Sequence, residues 1–376
     1  MGGIERLKFA DVKHRYSEEQ VRANTRNMLV DGCNIGDGTE VLVVNEYGRT
    51  EPALADIIEQ ECRGLGARVH VLWSDPVTGP DDMPRPVVSA FEHVDVTIFN
   101  HMIAGLLRCV PFNGTGLKML NFLTTWDTMG SPFGSAPYAV WLEVLKKLAP
   151  RMMQGKEWRI TCPLGTDYRG RHEPAAMKKP EPKTKGATGD GFTMRTFPLG
   201  VSPQYDALKA NGTLAIQWLT PSGIHAIDGL ALPSPVLAQI SDGHMTGFEG
   251  DAAAVAMLKN HLETCGKSFG KDPYVVNSWH AGINPTCVTP ISAREDLNEW
   301  MFMAHANPRI VHLHSVGEES PGELSIPIID PTIEIDGDKV WEGGRLRFLE
   351  DPGLREIIAQ IADPQVVFAQ EMDIGV

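Results

Sequence analysis

Along the first part of the chain, short apolar runs alternate with segments whose apolar residues recur at helical spacing. Thr39–Asn45 (TEVLVVN), Arg68–Trp73 (RVHVLW) and Val94–Asn100 (VDVTIFN) have the length and β-branched content of buried parallel strands. Between the first two lies EPALADIIEQECRGLG, with Pro52 near its start and Gly64 near its end, as expected of a helix. Ser17 and Gln20 have the spacing of a capping box that opens a helix running to about Val30. This alternation predicts a doubly wound, Rossmann-like α/β domain over residues 1–155.

The pattern changes at Lys156. KEWRITC reads as a strand, PLGTDY as a turn, and His172–Gly191 is a Pro/Lys/Gly-rich stretch with the composition of a mobile linker or lid. Strand-like segments then follow: NGTLAIQWL, GIHAIDG, YVVNSWHAGINP, RIVHLHSVG and PTIEIDG, with a helix expected over Asp251–Leu262. Residues 156–376 are therefore expected to form an α+β, strand-rich second domain that carries the site.

Composition narrows the function. A chain of 376 residues exceeds one ordinary core, which agrees with two domains. A net charge of −14, with no lysine or arginine block, argues against nucleic acid or an anionic membrane as partner. No apolar stretch reaches spanning length, and the N-terminus carries charges from Glu5 onward with no apolar signal-like core. The six cysteines are scattered singly, against a disulfide framework or zinc ribbon, so a reducing cytoplasm is expected. The first domain has no GxGxxG and no Walker lysine, hence no warrant for a nucleotide. What remains is a small-molecule substrate.

Twelve histidines are present, and His280, His305, His312 and His314 fall close together, with Glu323 just downstream. Imidazole and carboxylate together suit Zn, Mn or Fe(II). His312 and His314, two apart on an expected strand, point to one face. By spacing alone, the commoner role for each strand histidine is an ordinary hydrogen bond. His280 sits where a strand enters the turn Gly282–Pro285. His305 reads as a helix C-terminal histidine facing exposed carbonyls. In the first domain, His101 follows the strand ending at Asn100, the edge of an open α/β sheet where ligands bind, and is a candidate acid–base. Arg159, Thr166, Arg169 and Arg195 lie in or around PLGTDY and the 172–191 stretch and are candidates for holding a substrate oxygen. Taken singly, each arginine is as simply explained by solvation.

Several blocks in order carry a resemblance. WRITCPLGTDY, ANGTLAI, SWHAGINP, RIVHLHSVG and ELSIPIIDPTIEIDG resemble successive blocks of the superfamily of aminopeptidase T type metallo-aminopeptidases, which also contains 2,5-dihydroxypyridine 5,6-dioxygenases. The resemblance extends from about Val41 and is clearest after Trp158. It implies that His280, in SWHAG, matches an iron-binding histidine of the dioxygenase branch. It also implies that ELSIP stands where that branch has HLDIP, putting Glu323 at a ligand histidine and Ser325 at a ligand aspartate. The aminopeptidases use glutamates, one in the block that reads FTMRTFPLG here, where no such glutamate is found. A set of His280, Glu323 and His312 or His314 restores two histidines and one carboxylate.

Three readings follow from that resemblance. The first is a non-haem, Fe(II)-dependent ring-opening dioxygenase of a small hydroxylated aromatic or N-heterocycle, with His101 managing protons. The second is a metal-dependent hydrolase, with Zn, Mn or Co as alternative ions. The third is a metal-free lyase, isomerase or binding protein, suggested by the altered ligand block. Relatives of this type imply a homo-oligomer.

Overall fold

The computed structural model describes residues 9, 13–79, 82–107, 114–172, 192–222, 227–319 and 321–376. The expected mobile stretch 172–191 lies outside the described residues apart from His172, as does most of GIHAIDG. The chain divides into one unit of Met1–Trp141 with Glu181–Leu199 and another of Leu142–Pro180 with Gly200–Val376. The boundary expected at 155/156 thus falls instead within the helix Tyr138–Gln154, and a segment assigned from sequence to the second domain belongs to the first.

Seventeen strands are described. The first seven are β1 (Glu40–Glu46), β2 (Arg68–Ser74), β3 (Val96–Asn100), β4 (Leu117–Asn121), β5 (Glu157–Thr161), β6 (Asp167–Arg171) and β7 (Thr193–Phe197). Next come β8 (Tyr205–Asp206), β9 (Asn211–Pro221), β10 (Leu230–Ser241), β11 (His244–Glu249) and β12 (Val276–Ala281). The last are β13 (Ile310–Ser315), β14 (Leu324–Ile329), β15 (Thr332–Ile335), β16 (Asp338–Glu342) and β17 (Arg345–Leu346).

In the first unit a parallel sheet runs β2-β1-β3-β4-β7. The central strands β1 and β3 are apolar because helices cover both faces of such a sheet, and every residue of β3 is buried. The helix Pro52–Gly64 between β1 and β2 begins with proline at its first turn, as expected. Ser17 and Gln20 do form a reciprocal capping box, opening the helix Glu18–Arg26, and a π-helical turn over Asn27–Gly32 continues it. The sequence reading assigned no role to β7 in this sheet. Its partner β4 lies far upstream, and local periodicity carries no information about such a pairing.

The second unit is built on a twelve-stranded sheet whose main path is β17-β16-β15-β5-β6-β9-β14-β13-β12-β8, with β10 and β11 branching from β9. The strand pairs here are antiparallel. The helix Ala252–Phe269 outruns the expected Asp251–Leu262; Asp251 caps its start and Gly270, in the left-handed region, ends it. Alternation sorts the strands that matter for the site. Val311 and Leu313 of β13, Trp279 and Ala281 of β12, and Ile326 and Ile328 of β14 are buried and share one face, an apolar layer. The opposite face carries the histidines. At its margin Ile310 and Ile329 pack with Trp300 of the helix Leu297–Ala304, which anchors the start of β13. Among the described residues no helix is long and apolar enough to cross a membrane.

Candidate metal centre

Antiparallel register brings three imidazoles together. His280 on β12 is the direct cross-strand partner of His312 on β13, and His314 lies two residues further along β13 on the same face. Ring centroids are 4.4 Å apart for His280 and His312, 4.8 Å for His280 and His314, and 5.2 Å for His312 and His314. One ligand nitrogen from each lies within 4.8 Å of the others. Nitrogen ligands about 2.0–2.1 Å from one ion would sit closer together than that.

Burial sets the charge of this cluster. His312 and His314 are buried, whereas His280 is partly exposed. Burial holds the pKa values of His312 and His314 well below the ordinary histidine value, with the neighbouring imidazoles, His280 first, adding to the effect. The rings are therefore neutral at pH 7, the form that donates a lone pair to a metal. His312 Nδ1 is buried with no hydrogen-bond partner among the described residues, a cost that coordination or a relayed proton removes. Three converging imidazoles, two of them buried and neutral, with a buried nitrogen among them that has no hydrogen-bond partner among the described residues, fit a divalent ion. His305 is the C-cap of the helix Leu297–Ala304, its Nδ1 3.1 Å from the Met301 carbonyl, and its ring is edge-on to His312 at 5.8 Å. That is the capping role read from sequence.

The remaining candidates are placed elsewhere. Glu323, buried just before β14, is ion-paired with Lys271 and is not among the residues that converge with the histidines. Its neighbour Ser325 is the one that faces the cluster, as cross-strand partner of His314. Among the described residues, the group that converges is three imidazoles, His280, His312 and His314. Arg159 on β5 makes a two-pronged ion pair with Asp167 (2.8 and 2.7 Å) on the exposed side of the strand pair, which holds the Asp167 carboxyl below its usual range. Arg169 is exposed on β6. Thr166 is buried, its hydroxyl accepting from the Ala215 N–H at 3.0 Å. Arg195 on β7 donates to the Gly32 carbonyl at 2.7 Å within the first unit. Arg159 and Arg169 are cross-strand partners on β5 and β6.

His101 follows β3, and both its ring nitrogens are occupied. Nδ1 accepts the Ile103 N–H at 3.0 Å, which leaves the proton on Nε2, 2.9 Å from Ser74 Oγ and 3.2 Å from the Asp75 carbonyl. Burial lowers its pKa against the opposing pull of Glu46, whose carboxylate is 3.3 Å from Nδ1. These contacts describe an imidazole that closes the turn after β3.

Sequence reasoning missed Asn277, Ser278 and Gln204. Ser278 Oγ lies 3.0 Å from His314 Nδ1, and Asn277 and Gln204 both bond to that hydroxyl. The available signal was Ser278 itself, two residues before His280 and hence on the same strand face.

No protein-family profile and no curated protein matches the chain. Solved structures share its fold, among them these two. One is a 2,5-dihydroxypyridine dioxygenase from Pseudomonas putida, with TM-score 0.55 and 13% identity, covering 87% of this chain and 96% of that one. The other is wild-type AmpT from Thermus thermophilus, with TM-score 0.51 and 11% identity, covering 88% of this chain and 99% of that one. These are the two kinds of protein whose sequence blocks the chain resembles. At such identities the likeness establishes a common two-domain fold.

Proposed function

We propose that this chain is a metal-dependent enzyme whose ion is held by His280, His312 and His314, and that its reaction is dioxygen-dependent ring opening of a small hydroxylated aromatic or N-heterocyclic compound. The observation that carries the metal reading is the convergence of three imidazoles on one face of β12 and β13. A divalent ion on three neutral ligands would keep its full positive charge, supplying Lewis acidity toward anionic oxygen donors and open positions beside them. Iron(II) is the ion this reading names, and the likeness to a dihydroxypyridine dioxygenase supports the ring-opening assignment. The expected partner is a small molecule, and self-association belongs to the same proposal.

The donor set itself favours a second reading. With Glu323 turned to Lys271, no carboxylate among the described residues joins the three histidines, and three histidines alone are also the ligands of water-activating zinc sites. A metal-dependent hydrolase is the alternative. Protein purified without oxygen, analysed for metal and supplied with hydroxypyridines and catechol-type acids, separates the two. Stoichiometric iron with oxygen uptake matching loss of the ring supports the first. Zinc, with hydrolysis of amide or peptide substrates and no oxygen uptake, replaces it with the second. Protein that binds no divalent ion would sink both and leave a metal-free role.

A further inference from the structure

The three residues beside the histidine cluster form a chain of hydrogen bonds with only one consistent proton order. The Asn277 side chain fixes one end: its Nδ2 lies 2.9 Å from the Gly317 carbonyl and 3.4 Å from the Glu319 carbonyl. Carbonyls only accept, so that end of the amide is the NH2, and Oδ1 is the end turned toward Ser278. Ser278 Oγ is 2.5 Å from Asn277 Oδ1. An amide oxygen has no proton, so the single O–H of Ser278 must point at it. Gln204 Nε2 donates to the same hydroxyl at 2.5 Å. Toward His314 the hydroxyl can then offer only a lone pair, and His314 Nδ1, 3.0 Å away, must be the donor.

We propose that Ser278, polarised by Asn277 and Gln204, is a positioning residue that locks His314 as its Nδ1–H tautomer, so that the lone pair of Nε2 is presented to the metal. This rests on the metal reading only for its purpose, since the tautomer is a property of the metal-free protein. The three side chains are well placed for such a role. Asn277 and Ser278 are each 2% exposed, so water cannot readily substitute for either. Ser278 is also the cross-strand partner of His314, which makes the contact a consequence of strand register. A ligating histidine whose other N–H is held by an oxygen acceptor has its ring orientation fixed and its basicity raised. Loss of such a partner typically costs about 10–100-fold in metal affinity.

Two measurements test this. Long-range proton–nitrogen NMR of the metal-free full chain, with the His314 signal assigned by its loss in His314→Gln, should report the Nδ1–H tautomer in the wild type. It should report a mixture or the other tautomer in Ser278→Ala. Competition between protein and a chelator for Zn2+ should show binding weakened about 10–100-fold in Ser278→Ala. Asn277→Asp, which keeps an acceptor for the Ser278 O–H, should retain the wild-type tautomer. A wild-type His314 protonated on Nε2 overturns the proposal. So does a Ser278→Ala protein, folded by circular dichroism, with unchanged tautomer and unchanged Zn2+ affinity. If the wild type binds no Zn2+ yet shows the Nδ1–H tautomer, the metal reading fails and the relay stands.

Discussion

At the scale of single residues, the identity of the third ligand is the point on which sequence and structure part. Block register placed Glu323 at a ligand position, but its carboxylate meets Lys271 while His312 and His314 both reach His280. His280→Ala, His312→Ala and His314→Ala should each lower bound metal well below one ion per chain, as read by elemental analysis of dialysed protein. Glu323→Gln should leave that ratio near the wild-type value. Loss of metal in His280→Ala and Glu323→Gln, with retention in one of His312→Ala and His314→Ala, would restore the two-histidine, one-carboxylate set. His101 yields a prediction about pH. Its pKa in the folded state is depressed below the ordinary value of about 6.5, so the unfolded chain takes up its proton first as pH falls. The stability it contributes is present above about pH 6.5 and is lost as pH drops toward the folded value. Urea midpoints measured from pH 7.5 to 5.5 should therefore fall less steeply in His101→Asn, which keeps an acceptor for the Ile103 N–H, than in the wild type.

At the scale of elements, the site depends on how closely β12 and the end of the helix Leu297–Ala304 approach. A Cβ at Gly282, two residues beyond His280, would lie 2.1 Å from the Asn307 carbonyl oxygen, a backbone atom that cannot swing aside. The Gly282 carbonyl also accepts from Trp341 Nε1 at 2.9 Å, and its N–H donates to the Ile310 carbonyl at the start of β13. Gly282→Ala should destabilise the second unit by about 1–3 kcal/mol through overpacking. It should also displace His280 from His312, so metal affinity falls along with the thermal midpoint. An unchanged midpoint would show that β12 can shift without cost. The elements themselves were largely readable in the chain: β1, β2 and β3 as apolar runs, the helix Pro52–Gly64 from its proline and glycine, and β12 and β13 as strand-like segments between turns. The pairing of β7 with β4 was not, because a five-residue strand bears no mark of a partner so distant in sequence.

At the scale of the whole molecule, an ion that binds the folded chain and not the unfolded one must stabilise it by mass action. Free metal at a hundred times its dissociation constant contributes about 2.7 kcal/mol. Thermal melts of the chelator-treated chain should therefore rise on addition of Zn2+ or, without oxygen, Fe2+, and the gain should vanish in His312→Ala. A melt indifferent to every divalent ion would contradict the metal centre.

The sequence by itself determined the two-part α/β and strand-rich architecture, because apolar periodicity is a local property imposed by which faces must leave water. It also marked His280, His312 and His314, since an HxH pair on a strand necessarily shares a face. Tertiary structure alone decided that β12 pairs with β13 so that His280 stands opposite His312. It turned Glu323 to Lys271, closed His101 into its turn, and stationed Asn277, Ser278 and Gln204 behind His314. Register and side-chain partnership are contacts between residues far apart in the chain, and the free energy that selects them exists only once the strands are packed together.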